Sequence, residues 1–146
     1  MKNLLIFIIT VSAGIMAAHA QTGLNIEKVF GGRYHDNPAA AESMIQGNDD
    51  LDEQGIYLIR TLRITGQPEE ANFIEPLVVA DGAKAVEKTV SYKKGMLYLG
   101  IYSLQPAHKR NRHIIYLNQK PTGGDKINLI YIEGSITKEK ISTMIK

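Results

Sequence analysis

His108 and His113 bracket Lys109, Arg110 and Arg112 in the run PAHKRNRH, residues 106–113, with no acid among them. Residues of these types at this spacing point to three chemistries: metal ligation by the histidines, capture of an anion by the cations, or a solvated hairpin tip. Zinc takes three or four ligands with supporting groups behind them. Two histidines five positions apart, flanked by three cations that repel a metal ion, do not supply that set, so no metal site is assigned. Nucleic-acid recognition wants a broader positive face with stacking aromatics close by. Pro106 and Asn111 are turn formers where the chain must reverse, and exposure alone explains the charge. Lys109, Arg110 and Arg112 are retained as candidate residues for binding an anion, a partner or an acidic loop.

The acidic counterpart is NDDLDEQ, residues 48–54. Asn48, Asp50 and Asp52 alternate as in a calcium loop, but Glu53 stands where an EF-hand needs glycine and Ile59 where it needs a bidentate glutamate. A solvated loop is the expectation, with a looser oxygen-rich calcium site as the alternative. For catalysis the inventory is thin. The chain has no cysteine, and no GxSxG, HExxH, GxGxxG or P-loop pattern occurs. A Ser-His-Asp set such as Ser103, His113 and Asp125 can be written down, but nothing in the spacing brings the three together. No catalytic residue and no cofactor is assigned, and the reading leans away from an enzyme.

The elements that position these residues follow from periodicity. LNIEKVF (24–30) reads as a short helix stopped by Gly31-Gly32, and AAESMIQ (40–46) as a strand leading into the acidic loop. IYLIRTLRI (56–64) is a strand in which Arg60 interrupts an apolar parity. Pro68-Glu69-Glu70 opens a helix whose stripe is Phe73, Ile74, Leu77 and Val78, with Pro76 expected to kink it and Gly82 to end it. Residues 86–92 and 96–104 form a hairpin across Lys94-Gly95, and 112–118 and 126–134 are two further strands. Thr137 caps a terminal helix, with Ile136 placed to staple onto Ile141. The sum is an α+β domain: an antiparallel sheet of four to six strands with a C-terminal meander, helices packed on one face, and a C-terminal helix.

Both faces of that sheet carry apolar residues. Leu97, Leu99 and Ile101 share one parity and Tyr98 and Tyr102 the other, while Tyr116 and Tyr131 join them from neighbouring strands. Tyr98, Tyr102, Tyr116 and Tyr131 are therefore candidate ligand- or partner-binding residues if one face is open. The competing reading is that a further segment covers that face and the tyrosines are core, their hydroxyls reaching the rim.

The ends and the composition bound the rest. Residues 1–20, MKNLLIFIITVSAGIMAAHA, hold one lysine, an apolar run and a small-x-small pattern at Ala18-His19-Ala20, as a secretory signal peptide does. The expected mature chain runs from Gln21 to Lys146 as a single domain, periplasmic or secreted, with no transmembrane segment. Setting Lys2 aside from the 17 basic residues leaves 16 against 15 acidic ones, too balanced for a general nucleic-acid binder.

The stretches MIQGNDDLDEQGIYLIRTLRI (44–64) and KTVSYKKGMLYLGIYSLQPAHKRNRHIIYLNQKPTGGDKINLIYIEGSI (88–136) resemble small exported proteins of unknown function from Bacteroidetes-type bacteria. The resemblance implies an envelope or periplasmic location and carries over no catalytic residue. The functional expectation is a non-enzymatic binding module for an envelope protein or a small ligand. The alternatives are a small hydrolase with a dispersed site, or a polyanion-binding module centred on residues 108–113. Oligomeric state is left open.

Overall fold

The structure, a computed structural model, describes residues 23–145. The signal-peptide reading of residues 1–20 lies outside the described residues. Six strands form one open antiparallel sheet: β1 Ala40–Gln46, β2 Ile56–Thr65, β3 Glu87–Lys93, β4 Met96–Ala107, β5 Arg110–Asn118 and β6 Lys126–Gly134, in the spatial order β1-β2-β6-β5-β4-β3. Among the described residues four α-helices accompany them: α1 Glu27–Phe30, α2 Asp49–Asp52, α3 Ala71–Gly82 and α4 Lys138–Met144. Strands β3 to β6 are the meander expected from the alternating segments, and β2 closes against β6. The chain is thus an α+β fold with a C-terminal helix, as the pattern of elements implied.

Apolar residues on both faces of the sheet are buried, each against its own cover. On one face Leu62, Leu97, Tyr102, Ile114, Tyr116, Leu129 and Tyr131 pack with Val29 and Phe30 of α1 and Ile74 and Val78 of α3. On the other, Ile59, Ile101, Ile115, Ile130 and Ile132 pack with Leu51 of α2, Ile136, and Ile141 of α4. Helix α3 is prefaced by a 3-10 turn at Pro68–Glu70 and continues through Pro76 to Gly82. Its last glycine has a steric purpose. A side chain at Gly82 would collide with the ring of Tyr102, and a Cβ at Gly100 would come within 2.6 Å of it. One glycine on the helix and one on the strand therefore make the slot that holds this tyrosine. Burial there pushes its hydroxyl up to about 12.

The four-residue α1 is too short to hold itself together, and side chains from elsewhere tie both its ends. The Asp81 carboxylate of α3 accepts from the backbone N–H groups of Asn25 (2.8 Å) and Ile26 (2.9 Å). At the other end Arg60 Nη2 donates to the Phe30 carbonyl at 2.9 Å. Arg60, which breaks the apolar parity of β2, thus caps α1 from the sheet.

Three local expectations are corrected. The acidic segment is not a loop throughout: Asn48 Oδ1 accepts from Leu51 N at 3.0 Å, capping α2, and Leu51 is buried. The basic run is mostly strand. Strand β4 reaches Ala107 and β5 starts at Arg110, so Pro106 and Asn111 lie in strands and only His108 and Lys109 turn. Both turn residues have positive φ, 53° and 65°, the two-residue geometry that matches strand twist and in which Asn-Gly is usual. Finally, Ser91 pairs with Leu99 but Tyr92 with Leu97, so Tyr98 is the extra residue of a bulge. The bulge flips the face: Leu97 joins the α3 side, whereas Leu99 and Ile101 join the α4 side.

Candidate functional site

Helix α4 spans seven residues, about 10 Å at 1.5 Å per residue, and so shields only part of the face it lies on. Thr137 Oγ1 caps it by accepting from Lys140 N at 3.2 Å, and Ile136 and Ile141 anchor it in the core. Beside it runs a groove of about 450 Å³. Its floor is aliphatic: Leu99 and Ile101 of β4, Ile115 and Leu117 of β5, and Ile130 of β6. One wall is α4, through Lys138, Ser142 and the following Ile145; the other is Thr89 and the bulged Tyr98. Asn128 contributes a polar group to the lining.

Cations stand close to the groove. Lys138 is the charged residue of the lining. Lys93 Nζ stands 4.1 Å from the centre of the Tyr98 ring, and Arg63 Nε donates to Asn128 Oδ1 at 3.2 Å. One cation is therefore part of the lining and two more lie beside lining residues, Tyr98 and Asn128. An apolar trough edged by ammonium and guanidinium groups suits a molecule with a hydrocarbon body and an anionic end.

The face holds a second polar arrangement where β4 and β5 meet the approach to α4. Ser103 Oγ lies 2.9 Å from His113 Nδ1, and His113 Nε2 lies 2.8 Å from the Ile136 carbonyl. A carbonyl only accepts, so Nε2 carries the proton and Nδ1 accepts from the serine hydroxyl. Burial lowers the imidazole below its ordinary value, against the opposing pull of the Ile136 carbonyl and of Glu87 and Glu139. Ser103 and His113 do meet, then, but Asp125 does not join them. It precedes β6 beside the Asn118–Ile127 pairing, whereas His113 pairs with Ile132. A backbone carbonyl stands where a triad has its carboxylate, and both side chains are buried, 6 % and 3 % exposed. The pair ties β4 and β5 to Ile136, two residues ahead of α4.

The four candidate tyrosines do not form one platform. Tyr102, Tyr116 and Tyr131 are at most 3 % exposed and lie in the core cluster shared with α1 and α3. Tyr98 is carried to the groove on the other face by its bulge. Tyr131 donates to Glu133 Oε2 at 2.7 Å, while the Tyr116 hydroxyl has no hydrogen-bond partner among the described residues. Burial raises both hydroxyls well above the ordinary phenol range, so both are neutral.

The three cations also separate. The Arg110 guanidinium stacks 3.7 Å from the Tyr57 ring centre, and Arg112 Nε donates to the Gln105 carbonyl at 2.9 Å. Lys109 sits exposed in the turn itself. They do not converge as one clamp. No group of three or more His, Asp or Glu residues placed to hold a metal occurs among the described residues.

Sequence reasoning passed over Lys138, Ser142, Thr89 and Asn128. One signal pointed to part of that set: Lys138, Ser142 and Ile145 are spaced i, i+4 and i+7, a second stripe on α4 beside the buried Ile141. Comparison with curated proteins returns no match, and comparison with solved structures returns none either. A family model does match, over residues 13–145, and the chain belongs to that family of unknown function, DUF6108.

Proposed function

We propose that this protein is an exported, non-enzymatic binding module whose groove beside α4 holds a small amphipathic molecule, hydrocarbon along the sheet and anionic group at Lys138. The observation that carries the reading is the 450 Å³ trough with five aliphatic residues as its floor and one ammonium in its lining. Small-molecule sites are mostly apolar, roughly 300–1,000 Å³, with few polar groups to orient the ligand. Export to the periplasm or beyond is supported by residues 1–20, and N-terminal sequencing of protein recovered from that compartment should begin at Gln21. Retention of Met1 would contradict the export reading.

The binding reading is tested by calorimetric titration with dodecanoate and with dodecanol. Both are expected to bind saturably. Replacing Lys138→Gln removes a charge-assisted contact worth about 1.5–3 kcal/mol, so dodecanoate should weaken about tenfold or more while dodecanol changes little. Ser142→Trp, which projects bulk from the wall into the trough, should block both. Absence of binding by either compound, or full binding to Ser142→Trp, would contradict the proposal.

A further inference from the structure

Strand β3 is an outer strand of the sheet, paired only with β4. Such an edge presents unpaired backbone groups and invites another chain. All seven residues of β3 are paired, and the unpaired residue of the bulge, Tyr98, belongs to β4. It is also where unburied apolar surface collects. Val86, Val90 and Tyr92 are 53 %, 42 % and 55 % exposed, whereas no residue of the opposite edge, β1, is a large hydrophobic left open to that degree among the described residues.

We infer that β3 pairs with β3 of a second copy of this chain, antiparallel about a two-fold axis at Val90, to make one continuous sheet across a homodimer. In an antiparallel pair, facing residues share a face of the sheet, so the two-fold axis must pass through a residue. Centred on Val90, Glu87 faces Lys93 of the second copy, Lys88 faces Tyr92, and Val90 meets itself. Opposite charges are matched twice, a lysine lies against an aromatic ring twice, and a β-branched pair sits on the axis. The neighbouring registers do worse. Centred one residue earlier, Lys88 faces Val90 and Glu87 faces Ser91; centred one later, Lys88 faces Lys94. Lysines on an edge ordinarily guard against pairing. Here the register centred on Val90 gives both strand lysines a favourable partner.

Sedimentation of the purified protein across a concentration series tests this. A monomer–dimer equilibrium is expected. Glu87→Lys places like charges opposite each other at two symmetric sites, so dimer dissociation should strengthen about tenfold or more. Lys93→Glu should do the same, and the double variant Glu87→Lys with Lys93→Glu should restore the dimer. Both side chains are exposed, so circular dichroism should show an unchanged fold in every variant. A wild type that stays monomeric to about millimolar concentration overturns the inference. So does a dimer indifferent to Glu87→Lys, and failure of the double variant to restore pairing overturns the register.

Discussion

Two tyrosines of the same core show how an identical side chain carries opposite consequences. Tyr116 and Tyr131 are both fully buried, yet of the two hydroxyls only that of Tyr131 has an acceptor among the described residues, Glu133, itself 4 % exposed. A buried polar group without a partner forfeits roughly 1–3 kcal/mol of hydration, whereas a satisfied one recovers it. Tyr116→Phe should therefore leave stability unchanged or raise it by up to about 1 kcal/mol. Tyr131→Phe should lower it by about 1–3 kcal/mol, because Glu133 is left in the core without its donor. Urea midpoints of the two variants measure the contrast, and equal losses would show that the hydroxyls are equivalently held. The sequence shows both residues only as alternating tyrosines. What lies two positions along the same face differs: for Tyr131 the Glu133 carboxylate, which accepts its hydroxyl, and for Tyr116 Asn118, whose Nδ2 is itself without a hydrogen-bond partner among the described residues.

At the scale of elements, β5 and the approach to α4 are joined through His113. Its folded-state value lies below the ordinary 6.5, so the unfolded chain takes up a proton first as pH falls. The stability contributed by neutral His113 is complete above about pH 6.5 and is lost as pH drops from there toward the lowered folded value. Denaturation midpoints measured from about pH 8 to pH 5 should fall through that window. His113→Gln should be less stable than wild type at pH 8 and lose less on acidification. An identical pH profile in the variant would remove His113 as the cause.

Most elements were legible in the sequence: alternation and breakers marked β2 to β6, α1, α3 and α4, and the 40–46 segment was read as the strand β1. The bulge at Tyr98 was not, because one inserted residue leaves hydrophobic content unchanged while exchanging the faces of everything before it. The turn at His108-Lys109 was hidden for a related reason. Neither residue is Gly or Asn, so the strands ran two to three residues further into PAHKRNRH than its turn formers implied. The helical cap of the acidic segment rests on one Asn48–Leu51 hydrogen bond, and Asn before acids reads equally as loop.

At the scale of the molecule, two unequal covers decide where a ligand can go. The twelve-residue α3, with α1 and its tethers to Asp81 and Arg60, closes one face over the tyrosines. The seven-residue α4 leaves part of the other face as a trough. The candidate site was therefore not legible in any motif: it arises from a helix shorter than the sheet it covers, and its residues come from β3, β4, β5, β6 and α4. With no cysteine in the chain, that arrangement is held by packing and hydrogen bonds alone. The most direct test of the groove is a two-dimensional amide NMR titration with dodecanoate. Shifts should concentrate at Leu99, Ile101, Ile115, Leu117 and residues 138–145, leaving α1 and α3 unmoved; shifts centred on α3 or on the turn at His108-Lys109, or none at saturation, would contradict the account.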